Sequence, residues 1–160
     1  MKFKIVLLFI LLCPLLRAQE LLSPNGHIRL NVQVNNGIPT YNLSYKGKEV
    51  IKPSRLGLET QEASLSGGFT ITRTENSTAD ETWNTVWGEY STIRNQYNEL
   101  AVTLTQNANS NRTIVVRFRL FNDGLGFRYE IPAQNTINYM AVKDEITEFN
   151  LTGNHTFFCM

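Results

Sequence analysis

The chain has 160 residues, 42% of them hydrophobic, with 15 Lys and Arg against 14 Asp and Glu and a formal charge of +1. That balance leaves no basic surface for nucleic acid or anionic lipid, and the length suits one domain with a core of its own. With two cysteines, Cys13 and Cys159, at opposite ends, no disulfide framework holds the fold, and packing must do so.

Met1-Lys2-Phe3-Lys4 is a short basic start, residues 5–16 form an apolar run too short to span a bilayer comfortably, and Ala18 offers the small residue of a signal-peptidase site. Residues 1–18 are expected to be a secretory signal directing the chain to the periplasm, and residues 19–160 the mature domain. Cys13 invites a lipid-anchor reading, but Leu12 before it is too large for a good lipobox, so no membrane attachment is expected after signal removal. Loss of Lys2, Lys4 and Arg17 takes the formal charge from +1 to −2.

Beyond the signal, nearly every segment reads as a strand. Ile28, Leu30, Val32 and Val34 alternate with polar neighbours, as do Tyr41, Leu43 and Tyr45. Lys46-Gly47-Lys48 predicts a turn into Glu49-Val50-Ile51, and Leu56 and Leu58 follow. Phe69 and Ile71 come after the Gly67-Gly68 break, then Leu100, Val102 and Leu104. No segment shows a sustained helical stripe, so the pattern predicts an all-β, antiparallel sandwich. The polar clusters at residues 75–82 and 106–111 read as exposed loops.

The strongest local signal is "RTIVVRFRLFNDGLGFRYEIP". Asp123-Gly124 offers the positive-φ residues of a tight hairpin, which sets Leu120 opposite Phe127, Phe118 opposite Tyr129 and Val116 opposite Ile131. On the other face Arg117 then meets Glu130, but Arg119 meets Arg128. Opposed arginines are unfavourable, so an acidic group from elsewhere is expected beside them, on a face that is covered or in use. Glu89 and Glu99 are the candidates, with Arg94 and Asn98 on the same side; Asp144 and Glu145 compete for the role.

Signs of chemistry are sparse. His27 and His155 lie far apart with no partner at ligand spacing, so ordinary surface histidines are expected and no metal site. No phosphate-binding loop and no nucleophile elbow is present. Two carboxylates could perform glycoside chemistry, but among 14 acidic residues finding two is no signal. Asn76-Ser77-Thr78 and Asn111-Arg112-Thr113 are glycosylation-type triplets that mark exposed loops.

What remains is "WGEYSTIRNQYNEL", residues 87–100. Aromatic rings stack on the C–H faces of sugars while Asn, Arg and Glu read the hydroxyls, and this segment carries that repertoire. The plainer alternative makes Trp87 and Tyr97 core rings among solvated polar residues.

Four blocks, in order, extend that reading: "SPNGHIRLNVQVNNGIPTYNLSYKGKEVIKPSRLGLE", "VWGEYSTIRNQYNEL", "FRLFNDGLGFRYEIP" and "DEITEF". Together, from about Ser23 to Phe149, they closely resemble the N-terminal domain of glycoside hydrolase family 97. The resemblance implies a large twisted β-sandwich of the mutarotase-like kind that packs against a downstream (β/α)8 barrel and helps wall the active site. It implies an exported, calcium-dependent, exo-acting bacterial α-glycosidase acting on α-linked oligosaccharides, α-glucosidase before α-galactosidase. The family's catalytic carboxylates belong to the barrel, so no catalytic residue carries over. The chain is read as a fragment whose sandwich is incomplete at its C-terminal end, inactive alone and with no calcium of its own.

Two blocks match family motifs residue by residue, and they yield Trp87, Glu89, Arg94, Asn95, Asn98 and Glu99 as candidates for substrate binding or for the domain interface. A stand-alone carbohydrate-binding module and a purely structural exported sandwich are the alternatives.

Overall fold

The computed structural model describes residues 18–106, 111–137 and 139–156. The expected signal with Cys13, and the hydrophobic end with Cys159, lie outside the described residues, apart from Ala18.

Among the described residues eleven strands run in chain order: β1 Gln19–Leu22, β2 Ile28–Asn35, β3 Ile38–Tyr45, β4 Lys48–Arg55, β5 Leu58–Thr60, β6 Ser64–Leu65, β7 Phe69–Asn84, β8 Thr92–Gln106, β9 Thr113–Leu120, β10 Leu125–Glu130 and β11 Val142–Glu145. They form two four-stranded sheets, β1-β2-β3-β4 and β10-β9-β8-β7, and a small third sheet, β11-β5-β6. All strand pairings are antiparallel, and the described residues contain no helix. The all-β sandwich is the architecture that the alternating pattern predicts.

The two large sheets meet through their apolar faces. Leu30 and Val32 of β2 with Tyr41 and Leu43 of β3 face Leu100, Val102 and Leu104 of β8 and Ile114, Val116, Phe118 and Leu120 of β9, all within one buried cluster. Period-two alternation produces this, because each strand directs every second side chain to one side. Tyr41 stands among Phe118, Phe127 and Phe149 at 5.8–6.3 Å between ring centroids. Its hydroxyl donates to the Glu148 carbonyl at 2.8 Å, which satisfies the polar end of a buried ring. Burial first, and the neighbouring Tyr129 second, push the Tyr41 phenol up to about 12.

Two-residue turns join β2 to β3 and β3 to β4. Asn36-Gly37 (φ 50° and 81°) and Lys46-Gly47 (φ 47° and 78°) both carry the paired positive φ values that match strand twist. Gly37 is required twice over, since a Cβ there would lie 3.0 Å from the Gly68 backbone nitrogen.

The hairpin between β9 and β10 differs from expectation by two residues. Phe118 pairs with Phe127, Val116 with Tyr129, Arg117 with Arg128 and Arg119 with Gly126. Neither Asp123 nor Gly124 takes a positive φ. Instead a four-residue loop closes with the Phe121 N–H donating to the Gly124 carbonyl at 2.9 Å, and this lengthening shifts the register. A slip of two preserves the face, so Phe118 is fully buried and Arg117 points outward as expected.

Residues 75–82, read as a loop, form the middle of β7. They pair in unbroken register with β8, from Glu75 opposite Ala101 to Thr82 opposite Arg94. Beyond the sandwich neither face of this ribbon is buried, so the strand shows no apolar alternation. Of the second expected loop, Gln106 closes β8 and is buried, donating to the carbonyls of Ser64 and Gly67 at 2.9 and 2.7 Å.

Candidate functional site

The segment from Trp87 to Leu100 divides between two places. β9 pairs with β8 no further than Asn98, so the pairs from Ala79–Tyr97 to Asn84–Thr92 form a two-stranded arm. The arm rises roughly 20 Å at the usual advance per strand residue. Its tip is the loop 85–91, held by the Thr85 N–H donating to the Ser91 carbonyl at 3.1 Å. Around this tip Val86 is 99%, Trp87 89% and Tyr90 71% exposed, with Trp83 and Ile93 beside them. Trp87 is therefore not a core ring. Glu89 is also exposed at the tip, far along the arm from the arginine face it was expected to serve.

Along the arm, alternation separates the remaining candidates. Arg94 and Asn98 share the side of Leu100, Val102 and Leu104, whereas Asn95, Tyr97 and Glu99 take the opposite side. The expectation that Glu89, Arg94, Asn98 and Glu99 share one side is thus corrected, by the alternation of the strand that carries the last three. Arg94 grips Asp80 with two parallel hydrogen bonds, 2.8 Å from Nε and 2.7 Å from Nη2. These hold the Asp80 carboxyl below its ordinary value and raise the guanidinium. Asn98 donates from Nδ2 to the Leu22 carbonyl at 2.8 Å and so ties the arm's base to β1.

Glu99 belongs to the second place, the outer face of the β10-β9-β8-β7 sheet. It is only 6% exposed. Its Oε1 accepts from Arg117 Nη1 at 2.6 Å and from Ser77 Oγ at 3.3 Å, and its Oε2 from Arg119 Nε at 2.7 Å. Arg117 turns its other side to Glu130, at 2.8 and 3.0 Å. Glu130 also accepts from Arg128 Nε at 2.7 Å. Arg119 lies 4.4 Å over the ring of Tyr97. The outcome is an alternating row: Arg119, Glu99, Arg117, Glu130, Arg128.

The charges decide the ionisation states. Burial pushes Glu99 up, yet the hydrogen bonds from Arg119 and Arg117 together outweigh it and leave the carboxyl lowered. Arg117 first and Arg128 second bring Glu130 down to about 2. Arg117 and Arg119 are raised, by Glu130 and Glu99 first respectively. The need for acidic company beside the arginines is thus met by Glu99, as expected, and by Glu130. The opposed pair is Arg117 with Arg128, and among the described residues Asp144 and Glu145 form no ion pair with it.

Asp80 and Trp83 also lie on the arm, in the outer half of β7, where no apolar alternation marks a strand. The β7–β8 register sets Asp80 opposite Gln96, two residues from Arg94. His27 and His155 are exposed, as expected of surface histidines. Among the described residues no three His, Cys, Asp or Glu side chains converge as a metal site.

Comparison with known proteins places this geometry in context. Residues 21–160 match the family model described as Glycosyl-hydrolase 97 N-terminal. A glycoside hydrolase family 97 enzyme from Pseudoalteromonas sp. strain K8, solved in complex with acarbose and, as a variant, with panose, superposes with a TM-score of 0.80 at 36% identity. The match covers 84% of this chain and 20% of that one. A crystal structure of a β-arabinopyranosidase gives a TM-score of 0.77 at 26% identity, over 83% of this chain and 21% of that one. A probable retaining α-galactosidase from Streptomyces bingchenggensis (strain BCW-1) is 28% identical over 104 residues, 65% of this chain and 16% of that protein. The chain therefore spans about a fifth of the length of the relatives it matches. With the family model matched over residues 21–160 and the sandwich superposing on solved members, the chain belongs to the glycosyl-hydrolase 97 N-terminal family.

Proposed function

We propose that this domain is the front part of an exported, calcium-dependent α-glycosidase, an α-glucosidase before an α-galactosidase, that releases terminal α-linked sugars. In this reading it flanks the active site of a downstream barrel and has no hydrolytic activity alone. Family membership supports the glycoside-hydrolase class. The greater likeness to an enzyme solved with panose and acarbose than to the α-galactosidase supports the preference for glucose. Calcium belongs, in this reading, to the longer parent enzyme; among the described residues no three His, Cys, Asp or Glu side chains converge. Export rests on the residues 1–18 pattern; an intact mass beginning near Gln19 in a secreting host is expected, and the full 160-residue mass in the periplasm would refute it.

The observation that carries the reading is the arm, which holds Trp83, Val86, Trp87 and Tyr90 out in solvent. A two-stranded ribbon is marginal by itself in water, and exposed aromatics at its end suit a surface that meets a sugar and a neighbouring domain together. Glu89, Arg94 and Asn95 supply polar groups on the same arm, while Asn98 and Glu99 anchor its base. The test is Trp87→Ala in the longer parent enzyme, with hydrolysis of an aryl α-glucoside and the melting temperature measured together. Lower kcat/KM with unchanged melting is expected. Unchanged kcat/KM would remove Trp87 from the site.

A further inference from the structure

The alternating row on the outer face of the long sheet begins and ends on arginine. It holds three guanidinium groups and two carboxylates, and each carboxylate is already shared by two arginines. The two end members, Arg119 and Arg128, do not point away from each other. Both line one concavity of about 200 Å³, together with Arg117, Phe121, Gly126 and Phe127. Arg119 spends only its Nε on Glu99, so its Nη1 and Nη2 have no partner among the described residues. Arg128 likewise gives Nε and Nη2 to Glu130, and its Nη1 has no partner among the described residues.

The concavity exists because of the register. Gly126 stands directly opposite Arg119 on β10, where any other residue would project a side chain into the space. Its backbone is not in the left-handed region, and a Cβ built there meets nothing within 4 Å. Glycine is therefore required neither by the turn nor by close packing, and what it provides is the open floor. Tyr97 lies beneath the Arg119 guanidinium and stiffens it, and Phe121 packs on Tyr97 at 5.4 Å.

We propose that this concavity is a binding site for a carboxylate, which closes the open row into a ring of six alternating charges. The Nη1 and Nη2 of Arg119 form the planar fork that matches a carboxylate, and Arg128 lines the same space. The bound group neutralises the single excess positive charge of the row. The Phe121, Phe127 and Gly126 that line it with the arginines add no competing carboxylate. The carboxylate can come from an acidic side chain of another protein segment or from an acidic sugar, and the same chemistry recognises both. Nothing in this proposal depends on which glycoside the parent enzyme cleaves.

The experiment titrates the full 160-residue chain with sodium acetate and, separately, sodium glucuronate, at constant ionic strength made up with chloride. The readout is the side-chain NMR signals of Arg119 and Arg128. Saturable shifts of both are expected. Arg119→Gln is expected to weaken binding by about tenfold, the order for losing a charge-assisted fork. Gly126→Val fills the concavity without removing a charge, and is expected to abolish the shifts while melting stays unchanged, so it decides the matter if Arg119→Gln fails to fold. Arg73→Gln, on β7 away from the row, controls for overall charge and leaves binding unaltered. Equal affinity for the two salts identifies a simple carboxylate, as a side chain carries, and tighter glucuronate identifies an acidic sugar. Shifts that rise linearly without saturation, or that survive Gly126→Val, or that Arg73→Gln weakens equally, would overturn the site.

Discussion

Replacing Glu99 by glutamine isolates the contribution of the one carboxylate buried in this sheet. The substitution keeps the shape but removes the charge, and it sets an amide N–H₂ against an arginine donor. Glu99 accepts two charge-assisted hydrogen bonds, 2.6 Å from Arg117 and 2.7 Å from Arg119, each worth about 1.5–3 kcal/mol. The full sum is not lost. Arg117 keeps its two bonds to Glu130, and the Arg119 side chain is 38% exposed, so water recovers part of its solvation. The expected cost is that of about one such bond, roughly 2–3 kcal/mol. At about 3–4 °C per kcal/mol for a domain of this size, the melting temperature should fall by roughly 6–12 °C. The assay is urea or thermal unfolding at pH 7, repeated down to pH 3. The folded-state pKa of Glu99 is lowered, so its contribution is present above the ordinary carboxylate pKa and lost as pH falls through the folded value. The gap between wild type and variant should therefore narrow on acidification. A gap below about 0.5 kcal/mol at pH 7, the value of an exposed pair, or one that widens in acid, would refute the reasoning.

Other outcomes are equally accessible. Phe118→Ala removes a fully buried ring from the meeting point of the sheets and should cost about 3–5 kcal/mol in denaturant unfolding; a loss under 1 kcal/mol would contradict its place there. The Glu130 carboxyl should titrate at about 2 by carbon NMR, with its share of stability lost as pH drops from about 4.5 toward 2. A normal titration would show that the arginines do not grip it in solution. Gly37→Ala forces a non-glycine residue to φ 81° and presses its Cβ against the Gly68 backbone. It should destabilise by more than about 1 kcal/mol in a thermal melt, and a neutral result would mean that the turn relaxes freely.

What the sequence made legible follows from where each strand lies. β2, β3, β8 and β9 each have one face in the core, so alternation announces them. The register of the β9–β10 hairpin was not legible, because Asn122-Asp123-Gly124 is compatible with both two-residue and four-residue loops, and side-chain pattern alone does not distinguish a slip of two. β7 was hidden for a different reason. Its outer half is wet on both faces, so burial imposes no rhythm on Glu75, Ser77, Ala79 and Glu81 or on their neighbours. Of the candidate residues, Glu99 was found through charge logic, since opposed arginines demand an acid. Glu89 satisfied the same logic on paper, yet the arm carries it away. Conversely, Asn36-Gly37 is a plain hairpin signal that composition-level reading of the turns did not single out.

The same polar rhythm of β7 has a consequence for how this chain behaves in crowded solution. β7 is the edge of its sheet; its Phe69 N–H donates to the Gly37 carbonyl, and beyond this start alternate residues along the strand turn their backbone groups toward any other strand that drifts past. Long flat edges of this kind seed fibrils when they are greasy. Here the irregularity between Ile71 and Arg73 bends the edge, while Arg73, Glu75, Asp80 and Glu81 place charge of both signs along it. An incoming strand would have to desolvate those groups without gaining an apolar face in return. The features that made β7 unrecognisable as a strand are the ones that keep it from recruiting copies of itself, and they let a long ribbon stand in water without becoming a template for aggregation.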